Sequence, residues 1–407
     1  MNYKNISQLF FISMSMLLFT SCIEEIDFET ETFESALVIE ATITNEVKNQ
    51  EILLSRTYQF EEDGPNPESN ATVIVETENS IFSFNEIEPG RYVSTNEFGA
   101  VTNEAYQLKI NTSNGRSYVS SPTFLTQVTQ IDDVYAVRET NDDGENGMSI
   151  YVDSYDPTGN SKYYRYDYEE TYKIVSPTWS PKDVIVLDDL TCEVDLINKA
   201  QEEKTCYNTE ESLRINLFAT NELTEDRVNR HLIRFIGSDN YIMSHRYSIL
   251  VKQYIQSREA FNYFKTLKDF SEEGSLFSQT QPGFFNGNIV SEINSEEKVI
   301  GFFDVSTVSS QRIFFNYDDY YPNEDLPPFF IACEPTEHYQ YTTTGLCGSL
   351  ISELERDRVV YHSGVEKILD TEISNDSILV GNFLMVLRPC GDCTALGSNI
   401  VPDFWTD

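Results

Sequence analysis

The sequence predicts a mainly β protein, in which an N-terminal immunoglobulin-like β-sandwich precedes a larger β-rich (α+β) domain with one clear helix. Short segments of alternating apolar and polar residues, separated by turn residues, recur along most of the chain. Aromatic residues make up 13% of the sequence, with 24 Tyr and 26 Phe, which is ample material for packed cores. A length of 407 residues favours two domains over one.

Residues 1–21 are predicted to be a lipoprotein signal peptide. Lys4 gives the chain a positive start, and Leu9–Phe19 is an apolar run of eleven residues interrupted by two serines. This run is too short to span a membrane, which takes about 20 apolar residues. Two small residues then precede Cys22, an arrangement that resembles the bacterial lipoprotein cleavage site, where the cysteine is diacylated and becomes the mature N-terminus. The alternative is an ordinary signal peptide followed by an incidental cysteine.

Residues 22–35 are predicted to form an acidic tether. Glu24, Glu25 and Asp27 follow Cys22 closely and resemble the acidic export signal that sends Bacteroidetes lipoproteins to the outer face of the outer membrane. The predicted location is therefore the outer membrane, with the protein facing the cell surface and held by acyl chains on Cys22.

The charge balance excludes some classes of partner. Removing residues 1–21 removes one basic residue and no acid, which leaves 27 basic residues against 67 acidic ones and a net charge of −40. A chain this acidic is not expected to bind nucleic acid or to attract anionic lipid by charge. Solubility at a cell surface is the preferred explanation, and recruitment of a cationic ligand or of divalent ions is the alternative.

Residues 36–126 are predicted to form the β-sandwich domain. Seven strand-like segments occur here, with turn signals at Glu78-Asn79, Pro89-Gly90 and Ser113-Asn114-Gly115. This spacing is typical of immunoglobulin-like sandwiches. The Cys–Trp–Cys pattern of antibody domains does not occur in this segment.

Residues 127–407 are predicted to form the β-rich C-terminal domain. Its longest alternating strand places four tyrosines on one face, namely Tyr164, Tyr166, Tyr168 and Tyr172. The opposite face carries Arg165, Asp167, Glu169 and Lys173. The tyrosine face is a candidate ligand platform, and the alternative is a half-buried sheet face whose hydroxyl groups reach water.

One segment of this domain, residues 257–270, predicts a helix. Ser257 is placed to act as the N-cap, and Ala260, Phe261, Phe264, Leu267 and Lys268 follow 3.6-residue spacing. We expect the apolar side of this helix to pack on the sheet.

Six cysteines remain after Cys22, and an even number in an exported chain predicts up to three disulfides. Spacing favours a local Cys192–Cys206 bond, and Cys333, Cys347, Cys390 and Cys393 are expected to pair among themselves. Two arrangements of these four remain open, a Cys390–Cys393 bond or cross-links from that pair to Cys333 and Cys347. A zinc site at the Cys390-Gly-Asp-Cys393 segment is the competing interpretation, because its CxxC spacing suits zinc.

Catalytic spacing is absent from the sequence, which contains no HExxH, GxSxG, P-loop or dinucleotide-binding glycine motif. We therefore name no catalytic residue, no cofactor and no metal ligand. Carboxylate and amide oxygens cluster at residues 141–146 and at Asp318-Asp319, but without the spacing of a helix–loop–helix calcium site. Solvated loops are the preferred explanation of both segments, and calcium binding is the alternative.

Several segments together resemble a known family. These are the early strand VIEATITN, the helix with its following loop, SREAFNYFKTLKDFSEEGSLFSQTQPGFFNGNI, the strand segment VIGFFDVSTVSSQRIFF and the ending RPCGDCTALGSNIVPDFW. They are similar to the Bacteroidetes lipoprotein family called domain of unknown function 4249. The family has no established activity. Its members are commonly encoded beside TonB-dependent outer-membrane receptors, so the resemblance implies an accessory role in nutrient capture.

Three functional hypotheses follow. The first is a non-enzymatic binding or accessory partner of a TonB-dependent transporter. The second is a structural or envelope-assembly lipoprotein that binds only other proteins, for which the tyrosine face should be buried and no small-molecule pocket should exist. The third is a hydrolase whose site the motifs do not reveal.

Overall fold

A computed structural model describes residues 35–58, 64–272, 287–341, 346–363 and 382–406. The mainly β class is confirmed, since 23 strands and four α-helices lie within these ranges. The predicted lipidation residue Cys22 and the predicted export residues Glu24, Glu25 and Asp27 lie outside the described residues. No helix in the described part of the chain is long and apolar enough to cross a membrane.

The first part of the chain forms nine strands. They are β1 Leu37–Thr44, β2 Glu51–Arg56, β3 Asn66–Pro67, β4 Thr72–Glu76, β5 Ile81–Glu88, β6 Arg91–Ser94, β7 Ala105–Asn111, β8 Ser117–Ser120 and β9 Thr123–Phe124. The three predicted turns are confirmed, because each falls between two consecutive antiparallel strands. Gly90 and Gly115 have φ values of 76° and 84°, which glycine adopts without a Cβ clash.

The middle of the chain continues with nine further strands and the longest helix. The strands are β10 Ile131–Thr140, β11 Asn146–Tyr155, β12 Tyr163–Val175, β13 Lys182–Asp188, β14 Glu193–Asn198, β15 Thr205–Glu211, β16 Asn216–Ala219, β17 Arg227–Gly237 and β18 Arg246–Ile255. The helix, α1, is Arg258–Glu272, as the sequence predicts.

The last part of the chain contains five strands and three short helices. The strands are β19 Ile289–Ser291, β20 Val299–Asn316, β21 Thr336–Tyr339, β22 Arg358–Ser363 and β23 Asn382–Leu387. The helices are α2 Tyr317–Tyr320, α3 Ser349–Leu354 and α4 Arg388–Gly391.

Strand β20 connects the two halves of the largest sheet. Its first part pairs in parallel with β1, from Leu37 opposite Val299 to Thr44 opposite Ser306. Its second part pairs antiparallel with β18, from Ile255 opposite Thr307 to Arg246 opposite Asn316. The sheet order around it is β15-β12-β18-β20-β1-β2-β6-β5-β4-β7-β8-β19.

The predicted immunoglobulin-like sandwich is not confirmed. The strands from β2 to β8 follow one another in one hydrogen-bonded sheet, whereas a sandwich needs two separate sheets. Leu37 of β1 and Tyr118 of β8 are far apart in strand order, yet both are fully buried in one apolar core, so the sheet curls around that core. The curl also brings β19 to β20, where the side chain of Asn288 bonds the backbone N–H and C=O of Phe303 at 2.7 and 2.8 Å.

A second core lies on the other side of β20. It is formed between the strands β12 and β18 and the three-stranded sheet β10-β11-β17. Buried members include Met148, Ile150, Ile249 and Val251, all less than 1% exposed. Alternation along these strands explains the arrangement, because every second side chain faces the opposing sheet.

A smaller unit at the end of the chain contains the sheet β21-β23-β22 and packs against the β13–β14 hairpin. The chain forms three disulfides, which agrees with the predicted maximum of three, and two of them tie this unit to earlier segments. The pairing is Cys192–Cys347, Cys206–Cys393 and Cys333–Cys390. The predicted local Cys192–Cys206 bond is wrong. Pairing of the C-terminal cysteines among themselves is right for Cys333 and Cys390 and wrong for Cys347 and Cys393, which bond to Cys192 and Cys206. The cysteine pair of the alternative zinc site is held in two different disulfides.

Candidate functional site

A groove of about 640 Å³ lies between helix α1 and one face of the large sheet. Strands β12, β18, β20, β1 and β2 supply its floor, and the loop after β15 supplies one rim. The volume is within the range of about 300–1,000 Å³ that is usual for small-molecule sites. Because its floor is regular sheet, the groove is preformed.

Strand alternation determines which side chains enter the groove. On β12 the odd-numbered residues Arg165 and Asp167 face it, and on β18 the even-numbered Lys252 and Tyr254 do so. Antiparallel pairing places Arg165 opposite Tyr254 and Asp167 opposite Lys252. The floor at this end is therefore a patch of two cations, one carboxylate and one ring.

Helix α1 provides an aromatic wall. Its predicted N-cap is confirmed, since the Ser257 hydroxyl accepts a hydrogen bond from the backbone N–H of Ala260 at 3.0 Å. The helix then places Tyr263 against Phe302 of β20, with ring centroids 5.5 Å apart. Burial, together with the charge of Glu40, raises the pKa of Tyr263 to about 12, so its hydroxyl is neutral at physiological pH.

Arg165 is largely enclosed in the groove, with only 14% of its side chain exposed. Its guanidinium lies 4.5 Å from the ring centroid of Tyr254 and 4.7 Å from that of Phe264, so it is held by two cation–π contacts. Asp167 lies 3.6 Å away and balances its charge. Burial raises the pKa of Tyr254, which keeps that ring neutral beside the cation.

Asp304 lies further along β20, outside the lining of the groove, and is completely buried. Its carboxylate accepts a hydrogen bond from the Ser306 hydroxyl. Burial raises the pKa of Asp304, while the hydrogen bond from Ser306 and the nearby charge of Arg165 act in the opposite direction. The charge of Arg165 therefore acts on two carboxyl groups, those of Asp167 and Asp304.

Other charged side chains of the groove differ in whether they have an ion-pair partner. Glu51 is paired with Arg91 at 2.8 Å. In contrast, Lys252 and Glu40 have no ion-pair partner among the residues that the structure describes. Lys252 is half-buried and Glu40 is exposed, so both are accessible from the groove.

The predicted tyrosine platform is not a ligand surface in this structure. Tyr164, Tyr166 and Tyr172 are at most 2% exposed and belong to the second core. The hydroxyl of Tyr166 donates to Gln253 Oε1 at 2.9 Å, as a buried tyrosine requires. Only Tyr168, which is half-buried, reaches the lining of the groove.

The oxygen-rich segments considered for calcium are engaged in local structure. Residues 141–145 form the turn between β10 and β11, where Asn141 Oδ1 accepts from the backbone N–H groups of Asp143 and Glu145, and residue 146 begins β11. Asp319 accepts from the backbone N–H of Asn316 at the start of α2. Within the described ranges, no group of three or more His, Cys, Asp or Glu side chains is arranged to hold a metal ion.

Sequence reasoning identified the correct strand but chose the wrong face of it. The charged residues Arg165 and Asp167 were recognised as the face opposite the tyrosines, and this face lines the groove. The signal that could have distinguished the faces is the helix following β18, whose apolar side must cover part of this sheet.

Comparison with known proteins identifies the family. The family model described as "Domain of unknown function (DUF4249)" matches residues 23–312, which is more than half of the chain. The match covers the groove-lining strands and helix α1, and it ends before the C-terminal segment with Cys333, Cys390 and Cys393. No curated protein matches the chain. Because the family model spans most of its length, the chain belongs to the DUF4249 family.

Proposed function

We propose that this protein is a lipid-anchored binding protein on the outer face of the outer membrane, where it acts as an accessory partner of a TonB-dependent nutrient transporter. Its role in this proposal is to hold a ligand, and it carries out no chemistry of its own. The acyl chains on Cys22 keep the groove at the membrane surface.

The observation that carries the binding role is the groove beneath α1. It combines a preformed floor of regular strands, an aromatic wall and charged side chains of both signs. Such a combination of apolar surface with a few polar groups is typical of ligand sites. The location is supported by the sequence around Cys22, and the transporter partner is supported by the genomic setting that the family resemblance implies.

Affinity purification from the native outer membrane tests the partnership. The tagged, lipidated protein is extracted in mild detergent, and its partners are identified by mass spectrometry. We expect recovery of one TonB-dependent barrel in near-equal amount. A Cys22→Ala variant is the matched control, and it should be lost from the membrane fraction. If no barrel is recovered with the lipidated protein, the transporter partnership is wrong.

A structural or envelope-assembly role is the second candidate, and two observations favour it. The tyrosine face is buried, as this hypothesis requires, and the β13–β14 hairpin exposes apolar side chains, with Leu187 55% and Leu190 88% exposed. The groove counts against it, because an assembly protein needs no small-molecule site. Recovery of assembly machinery in the same purification would favour this second candidate.

A further inference from the structure

A second cavity lies at the ends of β12 and β18, where β20 is followed by α2. Its larger lobe has a volume of about 420 Å³, and a smaller lobe of about 220 Å³ adjoins it. The two lobes share Lys173, Val175, Ser244, His245 and Leu326, so they form one two-lobed pocket. None of the residues that line this pocket lines the groove beneath α1, so the two cavities are separate.

The larger lobe contains two cations on neighbouring strands. Tyr172 of β12 pairs with Tyr247 of β18, so the next residues, Lys173 and Arg246, lie opposite each other. Like charges in directly opposite positions destabilise a pair of strands. Within the described ranges, neither Lys173 nor Arg246 has an ion-pair partner.

The hydrogen-bond partners of Arg246 are neutral. Its Nε atom donates to the backbone carbonyl of Thr406, and its Nη1 atom donates to Asn316 Oδ1 at 2.9 Å. Its guanidinium also lies 5.1 Å from the ring centroid of Phe314. These contacts orient the guanidinium, but they do not neutralise its charge.

The acidic side chains nearby leave the lining of the pocket cationic. Asp318 lines the larger lobe and is exposed to solvent. Asp319 accepts hydrogen bonds from the backbone N–H and the side-chain amide of Asn316. Asp325 lies near Tyr317 but does not line the pocket. The lining therefore has two cations and one carboxylate, in a chain with a net charge of −39.

His245 adds a hydrogen-bond donor to the larger lobe. Burial is the main cause that lowers its pKa, the charge of Lys173 lowers it further, and the charge of Asp318 acts in the opposite direction. The imidazole is therefore neutral at physiological pH, and a neutral imidazole has one N–H group that can donate. Ser244, the preceding residue, supplies a hydroxyl group.

The smaller lobe is mainly apolar. Its lining includes Val175, Leu326, Pro327, Phe329 and the ring of Tyr241. The rings of Tyr241 and Phe329 have centroids 5.8 Å apart. An apolar cavity of about 150 Å³ is enough to hold benzene, so this lobe can hold a phenyl group.

We propose that the two-lobed pocket binds small organic acids with an aromatic or apolar tail, so that Lys173 and Arg246 hold the carboxylate and the tail occupies the smaller lobe. Charge complementarity selects an anion at one end, and apolar burial selects the tail at the other. This inference goes beyond the proposed function, because it assigns a second ligand site that depends neither on the groove nor on a transporter.

Isothermal titration calorimetry on the full-length protein in lipid nanodiscs tests the proposal. The probe is phenylacetate, compared with phenylacetamide, which has a similar shape but no charge, and with acetate, which has no ring. Each comparison ligand is expected to bind about tenfold more weakly than phenylacetate. Phenylacetamide loses the charge-assisted contacts, and acetate loses the apolar burial.

Two variants of one residue assign the carboxylate to its partner. Lys173→Gln removes the charge but keeps most of the side chain, so it should weaken phenylacetate binding about tenfold and leave phenylacetamide binding unchanged. Lys173→Arg keeps the charge and should retain the preference for the acid. Lys298→Gln is the matched control, because Lys298 is exposed and lies outside the pocket, so its affinity for phenylacetate should equal that of the unmodified protein.

The proposal is overturned if phenylacetate does not bind, if phenylacetamide binds as tightly as phenylacetate, or if Lys173→Gln keeps the full affinity for the acid. Each of these results would leave the transporter partnership standing, because the partnership is measured separately by recovery of the barrel from the outer membrane.

Discussion

His231 is an ionisable side chain enclosed within the fold. Its Nε2 atom lies 2.7 Å from Asn216 Oδ1, and its ring contacts Tyr166 and Phe218 at centroid distances of 5.1 and 4.8 Å. Burial is the main cause that lowers its pKa to about 4, and the charge of Lys268 lowers it further. The folded protein therefore holds His231 as the neutral imidazole.

This burial predicts a loss of stability in mild acid. Between pH 6.5 and 4 the unfolded state binds a proton at His231 that the folded state does not, so the free energy of unfolding falls as the pH falls. The full shift is worth about 3 kcal/mol. In His231→Gln, urea unfolding should lack this part of the pH dependence. An equal difference between the two proteins at pH 7.5 and pH 4.5 would contradict the assignment.

At the scale of the element, helix α1 shows why a helix that is specified by local signals can be predicted from the sequence. The cap residue, the apolar spacing and the end of the helix all lie within one segment, so no distant contact is needed to recognise it. The structure confirms the cap at Ser257 and the packing of Ala260 on the sheet, where Ala260 is fully buried.

Removal of the cap should weaken the helix that forms one wall of the groove. Ser257→Ala leaves the backbone N–H of Ala260 without its partner and should lower the free energy of unfolding by about 1 kcal/mol. Ser271→Ala is the matched control near the other end of α1, where the hydroxyl donates to the Lys268 carbonyl. We expect its effect in urea unfolding to be smaller than that of Ser257→Ala. Equal midpoints for the two variants would contradict a capping role.

The disulfides show the limit of sequence spacing. They join residues separated by 57, 155 and 187 positions, and spacing along the chain contains no information on which segments the fold brings together. Short spacing favours the local pair Cys192 and Cys206, which the structure does not form. In the structure these two cysteines anchor different segments of the C-terminal unit.

The Cys206–Cys393 bond should hold the C-terminal segment of the chain against β15. It ties the C-terminal segment to β15, beside the backbone bonds between Tyr207 and Ser398. The double variant Cys206→Ala/Cys393→Ala should lower stability by about 2–4 kcal/mol and release this segment to limited proteolysis. The variant Cys192→Ala/Cys347→Ala, which frees only the β13–β14 hairpin end, should leave the segment protected. Cleavage at equal rates in both variants would contradict this division.

At the scale of the whole molecule, the strands and hairpin turns were predictable, but the pairing of distant strands was not. Alternation of apolar and polar residues and the turn residues are local signals, so the sequence predicts the strands β4 to β8 correctly. The parallel pairing of β1 with β20 joins residues about 260 positions apart and has no local signal. The groove depends on that pairing, because Glu40 and Phe302 meet only when β1 and β20 are neighbours. The same long-range contact explains why the charged face of β12 could not be recognised as a site.

Strand β20 pairs with both β1 and β18, so we expect that residues 35–126 do not fold without it. Without β20, the edge of β1 is unpaired and the core loses Phe303 and Val305, both fully buried. The isolated fragment should show no cooperative urea transition by circular dichroism. A fusion that adds residues 287–308 through a flexible linker restores β19 and the first part of β20, and it should regain the transition. Cooperative unfolding of the fragment alone would instead support an independent N-terminal domain ending at residue 126.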